Sequence, residues 1–464
     1  MKHLIPAWLA VVILAVSPAS APAQQEVVPQ SRAEISLTFA PLVREAAPAV
    51  VNIYASRVVQ TRSPFQDDPI FGNFFRDFGQ ARPRVQNSLG SGVILSEDGI
   101  VVSNYHVVGQ ATDIRVVLND RREYQARVLL GDEESDLAIL RLDGATDMPH
   151  LSLRDSDTVE VGELVLAIGN PFGVGQTVSS GIVSGLARSG TATGNARGYF
   201  IQTDAPINPG NSGGALVDVK GRLIGVNTSI LTRSGGSNGI GFAIPSALVA
   251  QFVEQARAGN DRFQRPWAGV NGQPVDADLS ESLGLSVPGG VILSQLHAFS
   301  PFRAAGFTTG DVVTAVDGQP VNTPPEMLYR MSVRGIGADA QVTRRRGGVE
   351  ETVAVTMIAP PDQPPRDQRE LGRRDVLPGL VVANANPAVV AELGLPLTAD
   401  GVVVLEPGPY GGRVGLRRGD ILRSINGVPI RRPGEVGDVL RRASPRLQVE
   451  AERGNRRVFL RFRG

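Results

Sequence analysis

Cysteine is absent from the 464 residues, which excludes disulfides, thiolate nucleophiles and Cys-ligated metals together. A chain of this length can build its own cores without covalent staples. Histidine is scarce, with four in all, and no two stand at helical or hairpin spacing. A metal centre is therefore unsupported, and no cofactor is expected. An excess of one charge is also missing: 46 Lys and Arg balance 46 Asp and Glu. No global field attracts nucleic acid or acidic lipid. Neither a G-x-x-x-x-G-K-[ST] loop nor a dinucleotide fingerprint occurs, which argues against a nucleotide-dependent enzyme. The apolar run Leu4 to Val16 is too short to cross about 30 Å of hydrocarbon as a helix, and no later segment is apolar enough.

What is present suggests a β-rich chain of about three units. Glycine (53) and proline (33) are plentiful while aromatics make up 5%, a composition of short strands and tight turns. Lys2 and His3, the apolar run and Ala21-Pro22-Ala23 before Gln24 predict a signal peptide over residues 1–23, removed on export. The mature protein then works where ATP is not supplied.

From about residue 85 to 244, β-like runs recur about every ten residues, the spacing of sandwiches and barrels. Examples are 92–95, 100–102, 137–140, 164–168 and 223–226. Ser246 is expected to cap a helix running toward Gly259 and closing a first domain over 24–260. Within it, residues 60–87 form an insert carrying Phe71, Phe74, Phe75 and Phe78, read as a lid or assembly loop. The C-terminal half is a duplication. Gly310-Asp311 to Val321 aligns with Gly419-Asp420 to Ile430, and Leu283-Gly284-Leu285 with Leu393-Gly394-Leu395. This places repeats at 261–359 and 377–464, with a Pro-rich, semi-extended spacer over 360–376.

The most informative stretch is Asn208-Pro209-Gly210-Asn211-Ser212-Gly213-Gly214. A serine hydroxyl needs a base to become a nucleophile, and flanking glycines allow a tight turn that aims backbone N–H groups at an oxyanion. Of the four histidines, His3 leaves with the signal peptide, His150 sits in a polar turn and His297 lies in the first repeat. His106 alone ends a β-like run, Gly99 to Asn104, inside the first domain. Asp136 opens the apolar run Leu137-Ala138-Ile139-Leu140 and suits the orienting acid better than Asp132, Glu133 or Glu134 in the preceding loop.

Ser103-Asn104-Tyr105-His106-Val107-Val108, Asp136-Leu137-Ala138, Gly169 to Gly173 and Gln202 to Gly214 resemble the HtrA family, in its DegP/DegQ branch. The resemblance spans nearly the whole mature chain. It implies a mainly β protein, with a chymotrypsin-like double β-barrel protease domain followed by two PDZ domains. It also implies a periplasmic, ATP-independent serine endopeptidase that degrades unfolded or misfolded exported proteins through an acyl-enzyme, assembled as a homotrimer or larger multiples of trimers. His106, Asp136 and Ser212 would form the triad, and the backbone at Gly210, Asn211 and Ser212 the oxyanion hole. The rival reading is a chaperone or scaffold that binds unfolded clients with little proteolysis. Ser103 stands where the family more often has Thr, and Tyr105, in place of a smaller residue, is expected to crowd the active-site floor.

By the same analogy, Ile207 and the strand bearing Asn227, Thr228, Ser229 and Ile230 would wall the substrate pocket. No carboxylate stands at Ala205-Pro206-Ile207, so a small or branched apolar side chain is expected there rather than Lys or Arg. Arg265, Trp267, Ala268, Gly269 and Val270 resemble the loop with which the family's first PDZ domain holds a C-terminal carboxylate, with Ala268 replacing Leu. The partners implied are unfolded polypeptides and apolar C-terminal peptides. The second repeat either binds peptide through residues 377–381 or serves assembly. Its arginines read as a solvated or membrane-facing surface rather than a nucleic-acid site.

Overall fold

The short apolar runs of the N-terminal half become the strands of two barrels. The computed structural model describes residues 38–59, 84–170, 175–189, 199–208, 210–230, 239–285, 287–443, 446–454 and 456–463. The expected signal peptide and nearly all of the 60–87 insert, including its four phenylalanines, lie outside these residues.

The first barrel contains β1 (Val50–Val59), β2 (Arg84–Ile94), β3 (Ile100–Ser103), β4 (Asp113–Val117), β5 (Glu123–Asp132) and β6 (Leu137–Leu142). They pair in the order β1-β2-β3-β6-β5-β4, and β4 returns to β1. The second contains β7 (Leu164–Gly169), β8 (Thr177–Ser189), β9 (Tyr199–Thr203), β10 (Ala215–Asp218), β11 (Leu223–Ile230) and β12 (Gly241–Pro245), closed in the order β10-β11-β12-β9-β8-β7. Closure leaves no unpaired strand edge. The β-like runs fall in these strands, except that Leu95 lies one residue past β2. The apolar run Leu137 to Leu140 is fully buried, as its lack of alternation suggests.

The closing helix spans Ser246–Arg257 and buries Leu248, Val249, Phe252 and Ala256, one stripe at helical spacing. Ser246 is not its cap. Pro245 holds that position, and the Ser246 hydroxyl donates instead to the Arg154 carbonyl. A buried hydroxyl takes the nearest strong acceptor, and tertiary packing supplied one outside the helix.

Two further sheets follow. One runs Val270–Pro274, Val291–Leu296, Val312–Val316, Asp339–Arg346, Val349–Thr356. The other runs Arg369–Glu370, Val381–Asn384, Val402–Glu406, Ile421–Ile425, Arg446–Arg453, Arg456–Arg463. The duplication holds at the level of single bonds. Arg346 grips Asp311 with Nε at 2.6 Å and Nη2 at 2.7 Å, and Arg453 grips Asp420 at 2.7 and 2.8 Å. Each aspartate also accepts a loop N–H at 2.8 Å, from Thr308 and Arg417. Such charge-assisted, two-pronged bonds explain why both copies retain Gly-Asp before the strand. Asp317 and Asn426 take φ of 49° and 48° before a glycine, the backbone of a two-residue hairpin turn.

The 360–376 segment is less free than its prolines suggest. Arg369–Glu370 pairs with Val381 and Val382, and Leu371 enters the second core. Asn386 donates to the Pro364 carbonyl at 2.7 Å. Backbone groups of an extended segment pair readily with a neighbouring strand, and composition does not show whether one is in reach.

Candidate active site

The loop from Asp204 to Gly214 joins β9 to β10 and presents Ser212. Gly213 has φ of +83°, and a Cβ there would lie 2.0 Å from the Ser91 carbonyl oxygen. At Gly214 a Cβ would lie 2.3 Å from the Ile168 carbonyl oxygen. Only glycine lets the loop press so closely on both barrels. The Ser212 hydroxyl lies 3.0 Å from the Thr228 carbonyl oxygen on β11.

His106 and Asp136 come from the first barrel. A short helix, Tyr105–Val108, carries His106 directly after β3. Asp136 ends the turn between β5 and β6 and has φ of +53°, a conformation Asp tolerates better than most residues. The His106 Nδ1 atom lies 2.8 and 2.9 Å from the two Asp136 carboxylate oxygens, and the His106 backbone N–H donates to Oδ1 at 3.0 Å. A carboxylate only accepts, so the proton belongs on Nδ1 and Nε2 keeps its lone pair. Asn104 Nδ2 and the Tyr105 N–H both donate to the Asp136 carbonyl, at 3.0 and 3.2 Å.

Thr228 ties the two barrels together. Its hydroxyl donates to Asp136 Oδ2 at 2.7 Å, and its carbonyl faces the Ser212 hydroxyl. One residue of β11 thus touches both the acid and the serine. Sequence reasoning placed Thr228 on the pocket wall and missed this contact, because β11 reaches Asp136 only once the barrels meet.

The amide expected at Asn211 is occupied: it donates to the Asn208 carbonyl at 2.9 Å. Among the described residues, the Gly210 and Ser212 N–H groups have no acceptor, and these two are free to meet an anion. Ser91 supports the loop from β2 and was also missed. Its hydroxyl donates to the Gly210 carbonyl at 2.7 Å and accepts from the Asn170 N–H at 2.8 Å. Its N–H donates to the Ser212 carbonyl at 2.9 Å. Ser103 completes the set by donating to the Ser91 carbonyl at 2.8 Å. The available signal was Gly90-Ser91-Gly92, since glycines inside a strand mark close approach. A Cβ at Gly90 would lie 2.7 Å from Val107.

Two residues of the expected pocket wall lie in the interior of the second barrel. Ile207 is buried in the core of the second barrel, with its Cδ1 against Gly241. Asn227 is also buried and donates to the Ala215 carbonyl at 3.0 Å. Ser229 and Ile230 lie on β11, but their side chains fall outside the described residues. The nearby carboxylate of Asp204 accepts from the Ile182 N–H at 2.7 Å. Tyr105 lies against Gly109 and Gly131 beside Asp132 and Glu133, so its ring is taken up by that packing. Burial, followed by those two carboxylates, raises its phenol pKa. Residues 171–174, 190–198, 209 and 231–238 lie outside the described residues.

At the first PDZ sheet, Trp267, Ala268 and Gly269 precede the edge strand Val270–Pro274. Gly269 has φ of +61°, and a Cβ there would lie 2.7 Å from the Trp267 ring. Arg265, expected in the same loop, reaches toward the protease barrel. Its guanidinium is held by Asp132 and Ser135 of the protease barrel, because two oxygen acceptors lie within its reach there.

A trypsin-like peptidase domain model matches residues 90–226, and PDZ domain models match residues 253–357 and 401–451. A probable periplasmic serine endoprotease, DegP-like, of Halomonas elongata is 39% identical over 425 residues, 87% of each chain. The periplasmic pH-dependent serine endoprotease DegQ of Escherichia coli K12 is 35% identical over 431 residues, 92% of this chain and 91% of its own. The solved HtrA-type protease AlgW with decapeptide is 38% identical, with a TM-score of 0.51, over 70% of this chain and 99% of that one. Two closed barrels with this site, followed by PDZ domains, define a trypsin-like serine endopeptidase. With such relatives along most of its length, the chain belongs to the HtrA family, in its DegP/DegQ-like group.

Proposed function

We propose that the protein degrades unfolded exported polypeptides in the periplasm, without ATP, through an acyl-enzyme formed on Ser212. The observation that carries this reading is the continuous set of contacts from His106 through Asp136 and Thr228 to Ser212. In the first step His106 Nε2 takes the Ser212 proton as Oγ bonds to the scissile carbonyl carbon. The developing oxyanion is received by the Gly210 and Ser212 amides. His106 then returns the proton to the leaving amine as the C–N bond breaks. Water, deprotonated by the same imidazole, hydrolyses the ester. Asp136 holds the tautomer and stabilises the imidazolium throughout.

The periplasmic location rests on the names of the relatives and on the leader at residues 1–23. Assembly as trimers and capture of apolar C-termini by the first PDZ domain belong to the same reading. Strand addition along Val270–Pro274 would supply main-chain bonds, and the turn at Gly269 would supply N–H groups for the carboxylate. Cleavage is expected after small or branched apolar residues, since the Asp204 carboxylate is already engaged and Ala205 to Ile207 bring no charge.

Digestion of casein by wild type and by Ser212→Ala, with the cut sites mapped, tests the nucleophile and the cleavage preference together. The expected result is a set of apolar cut sites that vanishes in the variant. Equal proteolysis by both proteins would eliminate the mechanism. Client binding by the wild type without cleavage would favour the chaperone reading.

A further inference from the structure

The connection between the protease barrels and the first PDZ sheet is tightly held. Phe263 is buried and stacks on Phe252 of the closing helix, with ring centroids 4.0 Å apart. Gln264 and Gln255 exchange two bonds, of 2.8 and 3.0 Å. The Trp267 N–H donates to the Ile358 carbonyl at 2.8 Å, inside the PDZ unit. Arg265 lies between these anchors and points back at the protease. Its Nη1 donates to Asp132 Oδ1 at 3.0 Å, and its Nη2 to Ser135 Oγ at 2.7 Å. Nη2 also reaches Asp132 Oδ2, and Glu134 lies 3.8 Å from Nη1. The Arg265 side chain keeps 20% of its exposure and that of Asp132 15%, so the pair is largely withdrawn from water.

Asp132, Glu134 and Ser135 belong to the turn that delivers Asp136. Within that turn the Ser135 N–H donates to Asp132 Oδ2 at 2.7 Å, and the Asp136 N–H to the Glu133 carbonyl at 3.3 Å. Asp136 then stands at positive φ with its carboxylate against His106 and Thr228. A non-glycine residue in that conformation persists only where its surroundings hold it. The forked guanidinium clamps both ends of the turn's first four residues, which a single-point cation could not do.

We propose that Arg265 is a positioning residue for Asp136: the connection to the PDZ domain completes the protease site by fixing the turn that carries its acid. This rests on the reading of His106, Asp136 and Ser212 as the triad. The consequence is that peptidase chemistry depends on residues beyond the closing helix, independently of any peptide on the PDZ domain.

The test uses the full chain and a small chromogenic peptide with a blocked C-terminus. Arg265→Ala should lower kcat about 10-fold, within the range that misplaced catalytic groups cost, with KM changed less than about twofold. Arg265→Lys should recover part of the loss, since it can pair with Asp132 but cannot fork. Asp132→Asn cuts the same link from the protease side and should lower kcat similarly, which keeps the test open if Arg265→Ala folds poorly. The rate at which a fluorophosphonate labels Ser212 gives a second readout. In an Asp136→Asn background, Arg265→Ala should produce no further loss, because the residue acts through Asp136. Wild-type kcat in either link variant overturns the proposal. So does an Arg265→Ala loss of equal size with and without the Asp136 carboxylate, which would mark a general structural role. Wild-type activity of Asp136→Asn alone would overturn the triad reading, and this proposal with it.

Discussion

The Ser91 hydroxyl donates to the Gly210 carbonyl at 2.7 Å, from the first barrel to the nucleophile loop of the second. That bond holds the Gly210 carbonyl in place. Meanwhile the Ser91 N–H holds the Ser212 carbonyl, so both sides of the Asn211 turn are pinned. The amides left without acceptors among the described residues, at Gly210 and Ser212, lie in this pinned loop.

Ser91→Ala should therefore impair turnover more than folding. The fold loses about 1 kcal/mol for one hydrogen bond, plus the cost of an unpaired carbonyl. The reaction loses part of an oxyanion hole in which a single donor is worth about 2.7–4 kcal/mol. We expect kcat to fall at least about 10-fold, with KM nearly unchanged and a cooperative melt retained. A kcat within twofold of wild type would show that the loop keeps its shape without Ser91.

His106, Asp136 and Ser212 should behave as one unit. Ser212→Ala is expected to lower kcat by about 10⁶, His106→Ala nearly as much, and the double variant little further. Thr228→Val removes the hydroxyl contact to Asp136 and should give a smaller loss, about 10-fold, that is absent when Asp136 is already Asn. Steady-state kinetics on a chromogenic peptide measures both. Losses that multiply independently would contradict the grouping.

A pH effect is expected at the first PDZ loop. Burial pushes the His297 imidazole below its ordinary value of 6.5. The ring packs edge-on to Trp267, with centroids 5.4 Å apart, and its Nδ1 accepts the Phe299 N–H. The folded state therefore prefers the neutral ring. Stability from this site is full above about pH 6.5 and falls as pH drops through the depressed folded value, because the unfolded chain binds the proton more readily. Histidine NMR titration should find His297 titrating below 6.5, and His297→Gln should flatten the fall in melting temperature between pH 7.5 and 5.5. A His297 titration above 6.5 would reverse the argument.

Local pattern was enough for much of this architecture. Runs such as Leu137 to Leu140 appear as strands because an unbroken apolar stretch bounded by turn residues has few other ways to be buried. The duplicated Gly-Asp motif is visible as spelling, and its meaning appears only when Arg346 and Arg453, more than thirty residues away, arrive on Asp311 and Asp420. The glycines around Ser212 announced a tight turn whose need for glycine is physical: carbonyl oxygens of both barrels lie where a Cβ would sit.

Several expectations turned on which way a side chain points. Ile207 and Asn227 sit beside the site in the chain but face the barrel core. Ser246 begins its helix yet bonds to Arg154, and Arg265 belongs by position to the PDZ loop but pairs with the protease.

The sequence by itself determined the strand and turn pattern and the three-part organisation, and it singled out the candidate reactive residues, because these rest on periodicity, glycine spacing and elimination. Only the tertiary structure decided which partners those residues meet. The Thr228 hydroxyl on Asp136, Ser91 under Gly210 and Arg265 on the Asp132 turn join segments 92, 119 and 133 residues apart. Local propensity acts over a few residues. A buried hydroxyl or guanidinium instead takes whichever acceptor packing brings within about 3 Å.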